Sequence, residues 1–207
     1  MTPVPTRTLA DLQVSPIGLG GNVFGWTADD ATSFQVLDSY LDAGGNLIDT
    51  ADGYSYWAPG NAGGESETII GDWLASRLVR DRIVLATKVS TKPDRLGLSA
   101  DNIRLALAES LNRLRTNVID IYYAHFDDES TPLEETVTAF EAARQTGRIR
   151  HVGLSNYTPE RIRQWFSIAD AHGYARPIVL QPHYNLLHRD DVEGLTQIGR
   201  ASCRERV

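Results

Sequence analysis

The sequence carries an acid, a phenol, an amine and an imidazole at the ends of successive apolar runs. Asp49-Thr-Ala-Asp52-Gly-Tyr54 follows Asn46-Leu-Ile, Lys88 closes Ile83-Val-Leu-Ala-Thr, and His125 closes Ile119-Asp-Ile-Tyr-Tyr-Ala. A phenol donates its proton at neutral pH when a cation beside it favours the phenolate left behind. Lys88 suits that cation, Asp49 one strand over suits its partner, and His125 can hydrogen-bond a carbonyl oxygen. The set fits carbonyl reduction, a reaction whose hydride no side chain supplies, so a nicotinamide cofactor is implied. Each residue alone has a plainer reading: a strand-end aspartate caps the next helix, a loop tyrosine packs, a solitary histidine is structural. Four of them on neighbouring strands give the chemical reading its weight. Only two of the 20 basic residues are lysines, Lys88 and Lys92, so the sequence keeps an amine sparingly.

These residues need elements that place them on one rim. Short β-rich runs are predicted at 17–20, 46–49, 83–87, 119–124, 149–154 and 178–181, with amphipathic helices at 30–43, 65–77, 99–114, 132–146 and 158–172. Ser99 and Thr158 supply capping hydroxyls, and Gly44, Gly147 and Gly173 follow helix ends. A hairpin is expected at 7–15. This βα order fits an open doubly wound sheet or a β/α barrel. The polar residues Gly21-Asn22, Asp49, Lys88, His125, Ser155-Asn156 and Gln181 all sit at or just past the C-terminal end of a strand, which is the functional rim of a barrel. Length alone favours the open sheet, while this rim favours a (β/α)8 barrel of which about six units would be present.

The 207 residues are 42% hydrophobic and 23% charged, with a formal charge of −7, an ordinary globular composition. The negative charge argues against nucleic-acid binding, and no run of eighteen apolar residues predicts a membrane span. The start, Met-Thr-Pro-Val-Pro, has no basic stretch followed by an apolar one, and Cys203 is the single cysteine, so a cytoplasmic home is expected. Residues 198–207, Ile-Gly-Arg-Ala-Ser-Cys-Arg-Glu-Arg-Val, break the preceding pattern and resemble the in-frame translation of a common sequencing adapter. They are expected to be an artefactual tail on a domain spanning 1–197. Without their three arginines and one glutamate the formal charge becomes −9.

From Ile17 to about Gln197 the chain resembles the aldo-keto reductases. The resemblance runs in order through Asp49-Thr-Ala-Asp-Gly-Tyr54, Gly64-Glu-Ser-Glu67, Ala86-Thr-Lys88, Ser110-Leu-Asn-Arg-Leu, Ile119 to His125, Gly147-Arg-Ile-Arg-His-Val-Gly-Leu-Ser155-Asn156 and Gln181-Pro-His-Tyr-Asn185. It implies a β/α barrel that reduces aldehydes or ketones with NADPH, Tyr54 acting as acid with Asp49, Lys88 and His125. It also implies that Ser155, Asn156 and Gln181 hold the nicotinamide carboxamide, and Gly21 and Asn22 join them as cofactor-binding candidates. The family's seventh and eighth strands, its stacking aromatic and the loops that grip the adenosine phosphate do not follow, so the 207-residue chain is expected to be inactive. Trp26, Trp57 and Phe126 are candidates to line an apolar pocket for a small carbonyl substrate.

Three other readings stand beside this one. A metal-dependent hydrolase could use Asp49, Asp52, His125 and Asp127, although no paired histidine motif appears. A Schiff-base lyase could use Lys88 as nucleophile. A regulatory protein could keep the nucleotide site without turnover.

Overall fold

The computed structural model describes residues 5–187 and Arg189. Residues 198–207, expected to be an artefactual tail, lie outside the described residues. The chain begins with a hairpin, β1 (Arg7–Leu9) and β2 (Leu12–Val14), and continues through β3 (Leu19–Gly20), α1 (Asp30–Asp42), β4 (Leu47–Asp49), α2 (Glu65–Arg77) and β5 (Val84–Val89). A small hairpin, β6 (Thr91–Lys92) with β7 (Arg95–Leu96), precedes α3 (Ala100–Arg113). Then come β8 (Ile119–Ala124), α4 (Leu133–Gln145), β9 (Ile149–Ser155), α5 (Pro159–His172) and β10 (Val179–Gln181).

Six strands form one parallel sheet in the order β10-β9-β8-β5-β4-β3, each joined to its neighbour by a crossover helix. The sheet curls into a half-barrel, and the six predicted strands and five predicted helices are all present within a few residues of their expected limits. Local chemistry sets the helix ends. The Ser99 and Thr158 side chains accept hydrogen bonds from Asn102 N and Arg161 N, and Gly173 ends α5 in the left-handed conformation. Sequence reasoning missed the β6–β7 hairpin and a 3-10 turn at Arg80–Arg82, both shorter than a periodicity can reveal.

Two apolar layers result from the alternation of side chains along each strand. Ile48, Leu85, Tyr122, Val152 and Leu154 point outward and pack under Leu37, Trp73, Ile103, Phe140 and Trp165 of the helices. Val84, Ala86, Ile121 and Tyr123 point inward, where Leu12 and Val14 of the N-terminal hairpin cover them. The hairpin is thus the floor of the half-barrel, and its tip is tied to β9 by a contact of Asp11 Oδ1 with His151 Nε2 at 2.5 Å. Among the described residues no helix is long and apolar enough to cross a membrane.

Candidate active site

The same alternation that buries Val84 and Ala86 inside the half-barrel turns Lys88 inward, and it does likewise for Asp49 after Leu47 and His125 after Tyr123. Ser155 follows inward Gly153, and Gln181 follows inward Val179, with Ser155 and Gln181 paired across the two strands. All five therefore meet at the open C-terminal end of the sheet. Tyr54 reaches the same place from the β4–α2 loop.

Lys88 is the centre. Its side chain is fully buried, and Nζ donates to Asp49 Oδ1 and Oδ2 at 2.7 Å each, to the Thr50 carbonyl at 2.8 Å and to the Tyr54 hydroxyl at 3.1 Å. A buried ammonium requires this degree of compensation. Because the phenol oxygen accepts from Lys88, its own proton is turned away from the lysine, and Nζ lies 4.8 Å from the Tyr54 ring centroid. Beneath this group Tyr123 fills the interior, 5.8 Å from Nζ. Room for its ring exists because Gly153 has no side chain: a Cβ there would stand 2.4 Å from Tyr123.

His125 is 9% exposed and its ring stands edge-on to Tyr54 with centroids 5.9 Å apart. Burial, aided by the Lys88 charge, pushes its pKa down to about 3, so the imidazole is neutral at physiological pH. Its Nδ1 meets Thr91 Oγ1 at 3.3 Å. The Asn156 amide donates to the His125 carbonyl and to Ser155 Oγ, both at 3.0 Å, and Ser155 Oγ donates to the Gln181 carbonyl at 2.9 Å. Gln181 Nε2 donates to Asp49 Oδ2 at 3.1 Å, linking β10 to β4 across the mouth. Gly21 lies beside Asp49 through a backbone bond from its N–H to the Asp49 carbonyl, while Asn22 is exposed on the rim. A Cβ on Gly21 would come within 2.7 Å of Ser66 Oγ, so that glycine is also required by the packing of α2.

These groups suit a nicotinamide carboxamide by their chemistry. Asn156 and Gln181 have spent amide protons on protein acceptors, and among the described residues Asn156 Oδ1 and Gln181 Oε1 accept no hydrogen bond, which leaves acceptors for a primary amide. Around the mouth stand the half-exposed rings of Trp26, Tyr56, Trp57 and Phe126. Trp57 touches Trp26, Tyr54 and Tyr56 at centroid distances of 5.8, 6.1 and 5.4 Å, and Phe126 lies 4.9 Å from His125. The sequence singles out three of the four; Tyr56, adjacent to Trp57, carries no pattern that could distinguish it. A cleft of about 650 Å³ runs from Tyr56 and Phe126 past Ser90 and Thr91 to Asp128 and Thr131.

The two other enzymatic readings fit this geometry less well. Every proton of the Lys88 ammonium has an oxygen to receive it, which leaves no lone pair for attack on a carbonyl. Asp49 is engaged by Lys88 and Gln181, and Asp127 is held by a bidentate bond from Arg161 at 2.6 and 2.9 Å. Among the described residues no three His, Cys, Asp or Glu side chains converge as a metal site.

Behind the site lies a charged layer that the sequence did not disclose. Glu67, fully buried on α2, accepts from Thr87 Oγ1 at 2.6 Å and from Arg113 Nε at 2.7 Å. Asp52, 1% exposed, has no side-chain hydrogen-bond partner on either carboxylate oxygen. Burial, with the nearby Glu67 charge adding to it, raises its pKa to about 7.

Fold and site together define a β/α-barrel protein with a tyrosine, lysine, aspartate and histidine gathered at the strands' C-terminal ends. A sequence profile described as the Aldo/keto reductase family matches residues 16–202, and the chain belongs to that family, whose fold is the (β/α)8 barrel. Similar curated proteins include protein tas of Escherichia coli, 31% identical over 217 residues that cover 92% of this chain and 62% of tas. Norsolorinic acid reductase stcV of Emericella nidulans is 35% identical over 88% of this chain and 50% of its own length. Aldo-keto reductase YhdN of Bacillus subtilis is 34% identical over 89% of this chain and 54% of its own length. The chain thus spans between half and 62% of the length of these relatives.

Proposed function

We propose that the protein is an NADPH-dependent reductase of aldehydes or ketones in which Tyr54 is the general acid. The observation that carries this reading is the contact of buried Lys88 Nζ with both the Asp49 carboxylate and the Tyr54 hydroxyl. The positive charge stabilises the phenolate that remains after Tyr54 gives its proton to the carbonyl oxygen, and Asp49 holds that charge in place. Neutral His125 hydrogen-bonds the same oxygen and fixes the carbonyl beside the phenol. A reduced nicotinamide, when bound, supplies the hydride, and Ser155, Asn156, Gln181, Gly21 and Asn22 are the residues that would hold it. Trp26, Tyr56, Trp57 and Phe126 give the remainder of a small carbonyl substrate an apolar surface and keep water from the reacting oxygen. The relatives named as reductases support the direction of the reaction.

The net negative charge and the near-lack of cysteine support a cytoplasmic protein whose partners are small molecules, neither nucleic acid nor membrane. The 207-residue chain is proposed to be inactive by itself, because among the described residues β3 and β10 each pair with only one neighbour in the sheet.

The test is NADPH oxidation with a panel of aldehydes and ketones, using the reading frame resequenced through codon 197 and the Tyr54→Phe variant. The expected result is a reductase rate that falls about 100-fold or more in the variant while nucleotide binding is kept. A parent protein that binds NADPH yet shows no such rate would replace this reading with a nucleotide-binding regulatory one.

A further inference from the structure

One contact at the site is made by a residue that neither the sequence pattern nor the proton-transfer set includes. Thr91, the first residue of β6, places Oγ1 3.3 Å from His125 Nδ1, and among the described residues this hydroxyl makes no other hydrogen bond. The Tyr54 loop also packs closely on Thr91. A Cβ on Gly53 would stand 2.9 Å from Thr91 Oγ1 and 3.1 Å from its carbonyl carbon and oxygen. The loop that carries Tyr54 therefore rests on Thr91 with no room for a side chain, and Thr91 in turn rests on His125.

A neutral imidazole bears one proton, and the partner of one ring nitrogen decides which nitrogen carries it. A threonine hydroxyl with no other acceptor gives its proton to Nδ1. We propose that Thr91 is a positioning residue that donates to His125 Nδ1, holds the ring as the Nε2–H tautomer, and so leaves that N–H for the carbonyl oxygen of the substrate. This deepens the reductase reading, and rests on it for the last step only. The contact of Gly53 with Thr91 joins the two proton-handling groups through one side chain: a displacement of the Tyr54 loop is felt at the imidazole.

Long-range proton–nitrogen correlation spectra of the histidine-labelled chain read the tautomer without cofactor or turnover. The chain has five histidines, and the signal lost in His125→Gln identifies the one in question. In the parent and in Thr91→Ser, His125 is expected to be protonated on Nε2 alone, with the Nδ1 nitrogen frequency displaced by an accepted hydrogen bond. In Thr91→Val, which keeps the shape and removes the hydroxyl, Nδ1 is expected to move to the frequency of an unbonded nitrogen and an Nδ1–H population to appear. A parent protonated on Nδ1, or an Nδ1 frequency unchanged in Thr91→Val, would overturn the inference. Should Thr91→Val not fold, Thr91→Ala makes the same comparison and the parent spectrum alone still tests the tautomer. Failure of the reductase reading shows in NADPH oxidation, failure of this inference in the nitrogen spectrum, so the two are told apart.

Discussion

Replacing Asp52 by asparagine should alter how stability depends on pH, in a direction fixed by its surroundings. Its carboxyl is buried beside Glu67 without a side-chain hydrogen-bond partner, and burial chiefly raises its pKa from 3.8 to about 7. The folded protein therefore keeps a proton that the unfolded chain releases. Stability from this group is fully present below pH 3.8 and is lost as pH rises toward 7, after which the loss is complete. A shift of about 3 units at 1.36 kcal/mol each gives about 4 kcal/mol in all, of which about 3 kcal/mol falls between pH 5 and pH 8.5. The carboxamide of the variant does not ionise, so the stability of Asp52→Asn relative to the parent should grow by about 3 kcal/mol over that interval, or roughly 6–12 °C in melting temperature for a chain of this size. Thermal melts of both proteins at the two pH values measure it. His125, whose pKa is depressed to about 3, acts in the opposite sense below its unfolded value, but it is common to both proteins and cancels in the difference. A parent-to-variant difference that stays constant from pH 5 to pH 8.5 would refute the account of Asp52 as a buried carboxylic acid.

Gly71→Ala should destabilise the chain by more than the roughly 1–3 kcal/mol usual for overpacking, because the new Cβ would lie 2.0 Å from the Arg113 backbone oxygen, which no rotamer change can move; urea unfolding of the variant reads the loss. Glu67→Leu should cost up to about 3–5 kcal/mol, since Arg113, 17% exposed, would lose its buried partner and keep only the more exposed Glu109 at 3.3 Å, and the double variant Glu67→Leu, Arg113→Met should recover a good part of that loss in the same measurement.

The fold and the convergence of the proposed proton-transfer residues were legible in the sequence for a shared reason. Strand ends in a parallel sheet are marked by the change from apolar run to polar residue, and Asp49, Lys88, His125, Ser155 and Gln181 each stand at such a change. The pairing of Lys88 with Asp49 could also be expected, because β4 and β5 are consecutive strands of the sheet and consecutive strands tend to be neighbours. The motifs tied to the aldo-keto reductases added the residues proposed to hold the nicotinamide, of which Ser155 and Asn156 read locally as no more than a turn.

What the sequence determined alone was therefore periodic or covalently local: element types, helix caps, the inward parity of the rim residues and the order in which they arrive. The tertiary structure decided which distant groups meet. Gln181 reaches Asp49 across 132 positions of chain, Glu67 on α2 meets Arg113 on α3, and Asp52 is left without a side-chain hydrogen-bond partner beside them. Thr91 touches His125 only because a two-residue strand turns back over the mouth. Such contacts depend on sheet curvature and helix packing, which sum over the whole core, and a one-dimensional pattern records the residues that take part without recording their separation in space.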